Sequence, residues 1–127
     1  LVVRKLLPDG GAGMASLLIE LRDELDAARE FDAEVQRRFA QLRYVGTTVA
    51  LAAQRDPALA YEVADDYLRV VAIALLAWAW ARIGHAAPQT SRWTAPAEAF
   101  RRFVLPEFEM RLGMVKRACE AVISPAT

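Results

Sequence analysis

The chain has 127 residues with 16 bases against 16 acids, a formal net charge of zero, and a 55% hydrophobic content that alanine inflates. That length suits one domain, and the charge balance excludes a global field steering nucleic acid or an anionic membrane. One cysteine, Cys119, and one histidine, His85, exclude an internal disulfide, a His-rich metal site and a pair of Glu-x-x-His di-iron motifs, and point to a reducing, cytoplasmic setting.

Alanine and leucine favour helix, and no segment reads as a strand. The chain opens on "LVVRKLL" without a methionine and reads as a domain cut from a longer protein. That opening resembles the last turns of a helix, stopped by "PDGG", where proline breaks the ladder and the glycines allow positive φ. A first full helix is expected over residues 12–28. Met14, Leu17, Leu18, Leu21 and Leu25 form its apolar stripe, with an Arg22–Asp26 pair at i,i+4.

A second helix is expected over residues 32–54 on the stripe Val35, Phe39, Leu42, Val49 and Ala53, with Glu34 and Arg38 paired. Gly46 sits mid-helix at a cost of about 1 kcal/mol relative to alanine, which a close helix crossing would explain. Asp56 then suits an N-cap and Pro57 a first helical position for a third helix running to residue 83, terminated by Gly84. A loop of residues 85–93 leads to a fourth helix capped by Thr94 or Ser91. Its apolar positions are Ala97, Phe100, Phe103, Val104, Phe108, Leu112, Val115, Cys119 and Val122, and a kink is expected at Pro106. The expected architecture is all-α, an antiparallel up-down four-helix bundle over residues 12–127, with residues 1–11 as tail and linker.

The third helix is the least ordinary. Residues 70–81 carry no charge and include Trp78 and Trp80, about 200° apart around the axis. Twelve uncharged residues bracketed by Arg69 and Arg82 fall short of the roughly 20 a membrane span needs, so no span is expected. A helix apolar on all sides must be covered on all sides. Three bundle partners cover most of it, and the remainder is expected to meet another domain or subunit. Trp78, Trp80, Trp93 and Arg82 are the candidate interface residues; indole N–H groups need partners and suit such boundaries.

Few residues suggest chemistry. Asp65 and Asp66 are neighbours whose side chains diverge by about 100°, which excludes a carboxylate pair acting together. His85 reads as a cation favoured by a helix C-terminus, and Cys119 as an inert core thiol. Arg37, Arg38, Arg43, Arg101 and Arg102 read as solvated or interface arginines. "GGAG" at residues 10–13 precedes a helix but lacks a preceding strand and a following Gly-Lys-Ser/Thr, so a phosphate loop is not expected. No catalytic, cofactor-binding or metal-ligating residue is identified.

Three stretches nevertheless carry a resemblance. "LVVRKLLPDGGAGM" is similar to the Leu-Val-Gly-Arg-Lys … Asp-Gly-Gly stretch that leaves the flavin domain of bacterial acyl-CoA dehydrogenases, with Val3 in place of the usual glycine. "ADDYLRVVAIALLAWAWARIG" resembles the central helix of the extra C-terminal helical domain in those proteins. "FRRFVLPE" resembles a segment of its last helix. The group includes enzymes acting on methylthio-substituted propionyl-CoA.

The resemblance implies a C-terminal accessory domain of an FAD-dependent acyl-CoA dehydrogenase-like oxidoreductase. The parent would dehydrogenate an acyl-CoA at the α,β bond, with its catalytic glutamate, FAD and acyl-CoA sites upstream of Leu1. The partner would be the catalytic body or a neighbouring subunit in a homo-oligomer, and the domain would pack there and shape the substrate entrance. The alternatives are a DNA-binding helical domain of a flavoprotein relative, disfavoured by the zero net charge, and a stand-alone helical interaction or ligand-binding bundle. A cavity between Trp78, Trp80 and Phe100 would favour the latter.

Overall fold

A computed structural model describes residues 1–87 and 92–124. The fold is all-α. A π-helical turn, Val2–Leu6, and a 3-10 turn, Leu7–Asp9, lead into α1 (Ala12–Arg22), α2 (Glu30–Arg55), α3 (Leu59–Glu62) and α4 (Ala64–Ala86). Then follow α5 (Thr94–Ala99), a π-helical turn Phe100–Val104, and α6 (Glu107–Ile123). Helix α6 packs on α2 and α4, α2 also packs on α4, and α1 lies against α2. Val2 and Leu6 are fully buried in the same core.

The opening stop works as the residues dictate. Gly10 and Gly11 adopt φ of 65° and 92°, which only glycine takes without strain. The Asp9 carboxylate accepts from the Gly11 N–H at 3.1 Å and the Gly13 N–H at 2.9 Å, holding the first turn of α1. Helix α1 ends at Arg22, six residues earlier than expected. The Glu24 and Leu25 N–H groups reach back only three residues, to Leu21 O and Arg22 O, and Asp26 then forms a turn of its own. Its carboxylate accepts from the Ala28 N–H at 3.0 Å and its own N–H donates to Asp32 at 2.8 Å. A short acidic side chain that bonds nearby backbone competes with helix. Arg22 therefore meets Asp23 at 3.4 Å and not Asp26. Of the predicted stripe, Leu18 and Leu25 are buried, whereas Leu17 is 41% exposed.

Helix α2 matches its stripe: Val35, Phe39, Leu42, Val49 and Ala53 are all buried. Gly46 is buried, and a Cβ there would lie 3.4 Å from the Tyr67 hydroxyl and 3.5 Å from Leu6 Cδ1. The mid-helix glycine thus marks the expected close approach. Asp56 accepts from the Ala58 N–H at 3.1 Å. The helix expected from there to residue 83 is split at Val63, which turns inward with Leu59 and Ala60. Gly84 does not terminate α4, which continues to Ala86 with no positive φ at Gly84. A glycine stops a helix through a left-handed conformation, and here it keeps the right-handed one.

On the last helical segment, the π turn and Pro106 divide α5 from α6. The Leu105 N–H reaches back to Phe100 O at 2.9 Å, and α6 starts immediately after Pro106. The wide turn shifts the register, so Phe100 and Leu105 point inward while Phe103 is 72% exposed. Beyond it, Phe108, Leu112, Val115 and Cys119 are buried as expected. Trp93, not Thr94, precedes α5, with no side-chain cap; Ser91 lies outside the described residues.

Helix α4 is covered on most sides but not all. Tyr67, Val70, Val71, Ile73, Ala74, Ala77 and Ala81 are buried. Leu68, Ala72 and Leu76 form an exposed row, with the two leucines about half accessible. By length and composition α4 alone among the described helices is apolar enough to cross a membrane, and 39% of its most apolar window is buried within the protein. A core helix passes the same test.

Candidate functional site

One end of the molecule holds a cleft of about 730 Å³. The start of α2 supplies Arg29, Glu30, Phe31, Asp32, Glu34 and Arg38. The end of α4 supplies Trp80, Ala81, Ile83 and Gly84. The segment from Trp93 to Pro106 closes the third side.

Asp32 is the only buried charged residue among those described, at 2% exposure. Its Oδ2 lies 2.6 Å from His85 Nε2 and also accepts the Asp26 N–H. A carboxylate in such a place needs partners, and it has two. This pairing is not legible in the sequence, because Asp32 and His85 are far apart along the chain. His85, expected in the loop just past a helix C-terminus, instead lies within the last turn of α4, and a side-chain bond joins it to the first turn of α2.

Arg38 is a second largely buried polar residue of the cleft lining. Its side chain is 13% exposed. Nη1 donates to Glu34 O at 3.3 Å and lies 3.7 Å from the Glu34 carboxylate. The guanidinium sits 5.9 Å from the Phe108 ring centroid. Its Nε is buried and has no protein acceptor.

Aromatic rings make the walls. Trp80 meets Trp93 edge to face, with centroids 6.4 Å apart, and Phe100 at 6.3 Å. Arg101 stacks over Phe31 at 4.2 Å and Arg92 over Trp93 at 4.8 Å. Trp78 faces elsewhere. Its Nε1 donates to Leu21 O at 2.9 Å, satisfying a carbonyl at the end of α1. Arg82 does similar work: it donates to Glu24 O at 3.1 Å and approaches the Glu24 carboxylate at 3.9 Å. Of the four candidate interface residues, Trp80 and Trp93 thus share the cleft, while Trp78 and Arg82 attach α1 and its following turn to α4.

The remaining candidates are dispersed. Arg38 and Arg101 line the cleft; Arg37, Arg43 and Arg102 do not. Arg102 lies over Phe103 at 5.4 Å. Asp65 and Asp66 diverge, yet one guanidinium serves both: Arg111 lies 2.8 Å from Asp66, 3.7 Å from Asp65 and 3.0 Å from Glu107. Those hydrogen bonds, Asp66 first, hold the Arg111 pKa above its usual range. Burial, aided by Glu120 and Glu62, pushes the Cys119 thiol up to about 11, the opposite of an activated thiolate. Among the described residues no group of His, Cys, Asp and Glu is placed to hold a metal ion.

No family model, curated protein or solved structure matches this chain.

Proposed function

We propose that the chain is a C-terminal helical accessory domain of an FAD-dependent acyl-CoA dehydrogenase-like oxidoreductase, serving interdomain or subunit packing and bordering the substrate entrance. The sequence resemblance motivates the family. The observation that carries the packing role is the uncovered apolar row Leu68, Ala72 and Leu76 on a helix otherwise buried in the core. Such a row on a central helix suits a surface completed by another body. No residue of the chain is assigned to catalysis, and FAD would belong to the parent.

The test is the protein that carries this chain. Its coding sequence upstream of Leu1 is expected to end a flavin domain with a Glu-Gly-Thr motif. The purified protein is expected to hold flavin that an acyl-CoA reduces. Absence of flavin together with an unrelated upstream sequence would defeat the assignment.

A second reading, a ligand-binding helical bundle, is favoured by one observation. The cleft lined by Trp80 and Trp93 has the size of a small-molecule site. Trp78 does not line it, so it differs from the cavity expected between Trp78, Trp80 and Phe100.

A further inference from the structure

We infer that the cleft takes a small uncharged ligand with a flat aromatic body, held in the corner between Trp80 and Trp93 and not by an ion pair. This rests on the ligand-binding reading of the cleft and is independent of the flavoprotein assignment.

The charges of the lining cancel. Its carboxylates are Glu30, Asp32, Glu34 and Glu98, and its arginines are Arg29, Arg38 and Arg101. Asp32 is 2% exposed and bonded to both His85 and the Asp26 N–H, which takes it out of a ligand's reach. Three carboxylates then stand against three arginines. Arg38 lies 3.7 Å from Glu34, and Arg101 covers the Phe31 ring. Arg29, Glu30, Glu98 and Arg101 are all exposed, where solvent and salt screen them. A charged ligand entering such a place gives up its water and meets no unmatched opposite charge below the rim. An uncharged one gives up little.

The walls supply the attraction. Trp80 and Trp93 both line the cleft, with ring centroids 6.4 Å apart and ring planes at 65°. Two indoles at that angle form a corner. A flat ring placed there meets one of them face-on and the other edge-on, the arrangements that aromatic pairs prefer. Trp93 is 39% exposed, so apolar surface is open at the corner. Ile83, Ala97 and Pro106 border the same space. The volume, about 730 Å³, admits a two-ring body and lies inside the range of small-molecule sites.

The test uses one ring system in three charge states: naphthalenemethanol, naphthoate and naphthylmethylammonium. Each is titrated calorimetrically against the purified protein. The alcohol is expected to fill one site per chain and to bind at least about fivefold more tightly than either ion. Ala97→Trp, which fills the cleft, should weaken the alcohol at least about tenfold, and Trp93→Leu should weaken it severalfold. Leu76→Glu, on the uncovered row of α4, should leave it unchanged. An ion bound as tightly as the alcohol would overturn the uncharged-ligand inference and leave the ligand-binding reading standing. Absence of saturable binding by all three, or binding that responds to Leu76→Glu and not to Ala97→Trp, would overturn both. Far-UV circular dichroism checks that each variant folds. If Ala97→Trp does not, Trp93→Leu still locates the site.

Discussion

The Asp32–His85 pair gives the sharpest stability test, because it fixes the start of α2 to the end of α4. Asp32 is 2% exposed and the His85 side chain 21%, with 2.6 Å between Nε2 and Oδ2. A hydrogen bond to a buried charged group such as the Asp32 carboxylate is typically worth about 1.5–3 kcal/mol. The partial exposure of His85 lowers that, and the lost Asp26 N–H bond adds a term of about 1 kcal/mol or more. Asp32→Ala is therefore expected to cost about 3 kcal/mol, a large share of the 5–15 kcal/mol a domain holds. With a urea slope of about 2 kcal/mol per molar, the unfolding midpoint should fall by roughly 1.5 M. Asp32→Asn keeps an acceptor for Asp26 and should cost less. In a double-mutant cycle, His85→Ala should cost much less in the Asp32→Ala background than in the native one, leaving a coupling of at least about 1 kcal/mol. The readout is urea unfolding followed by circular dichroism. A cost below about 0.5 kcal/mol for Asp32→Ala, the range of ordinary surface changes, would refute the claim that this contact anchors the cleft.

Other outcomes follow from the core. Gly46→Ala places its Cβ at ordinary contact distance from Tyr67 and Leu6. It should be neutral or stabilise by up to about 1 kcal/mol through helix propensity, while Gly46→Val should cost about 1–3 kcal/mol by overpacking, both read by urea midpoint. The buried Tyr67 hydroxyl has no hydrogen-bond partner, so Tyr67→Phe should be neutral or stabilising at neutral pH. Desolvation pushes Tyr67 from 10.0 to about 12 and, with Glu120 and Glu62, Cys119 from 9.0 to about 11. Each folded value lies above its unfolded one. Their contribution is thus complete below pH 9 and is lost as pH climbs from 9 to 12, on the order of 3 kcal/mol per group. Urea midpoints across that interval should fall less steeply in Tyr67→Phe. Leu76→Glu, on the uncovered row of α4, should change the domain's own stability by no more than about 0.5 kcal/mol while weakening assembly of the proposed parent protein, measured by sedimentation.

What the sequence made legible is what periodicity and local chemistry encode. The α2 stripe and the run Phe108, Leu112, Val115, Cys119 repeat on a helical period, and the structure buries every one of them. Gly46 was legible because a helix tolerates its cost only for a reason, and Tyr67 and Leu6 are that reason. The errors came where a side chain competes with the ladder or the ladder changes pitch. Past Arg22 the backbone tightens to three-residue bonds and Asp26 closes its own turn on Ala28, and in the π turn at Phe100–Val104 Phe103 faces outward. The cleft was least legible. Arg38 and Arg101 could be named as arginines, but that they line one cleft follows only from the tertiary fold. The Asp32–His85 bond depends on two helix ends that only the tertiary fold brings together. Asp32 followed by Glu34 in a first helical turn looks like ordinary helix-dipole chemistry, which is why it concealed a buried acid.

The cleft and the uncovered row are not separate features of α4. Ile83 lies seven residues beyond Leu76, close to the same angular position on a helix of 3.6 residues per turn, and it lines the cleft. A body seated on Leu68, Ala72 and Leu76 therefore reaches the cleft's edge at Ile83. A packing surface and a small-molecule site that share a boundary constrain one another: covering the first narrows access to the second. The two readings of the chain then make a joint claim that neither makes alone. In the proposed parent protein, whose other domains would occupy the row, anilinonaphthalene sulfonate should bind more slowly than in the isolated helical domain. Leu76→Glu, by loosening that contact, should bring the parent's association rate toward the isolated domain's. Equal rates in all three would mean that the row and the cleft act independently, and stopped-flow tryptophan quenching would show it.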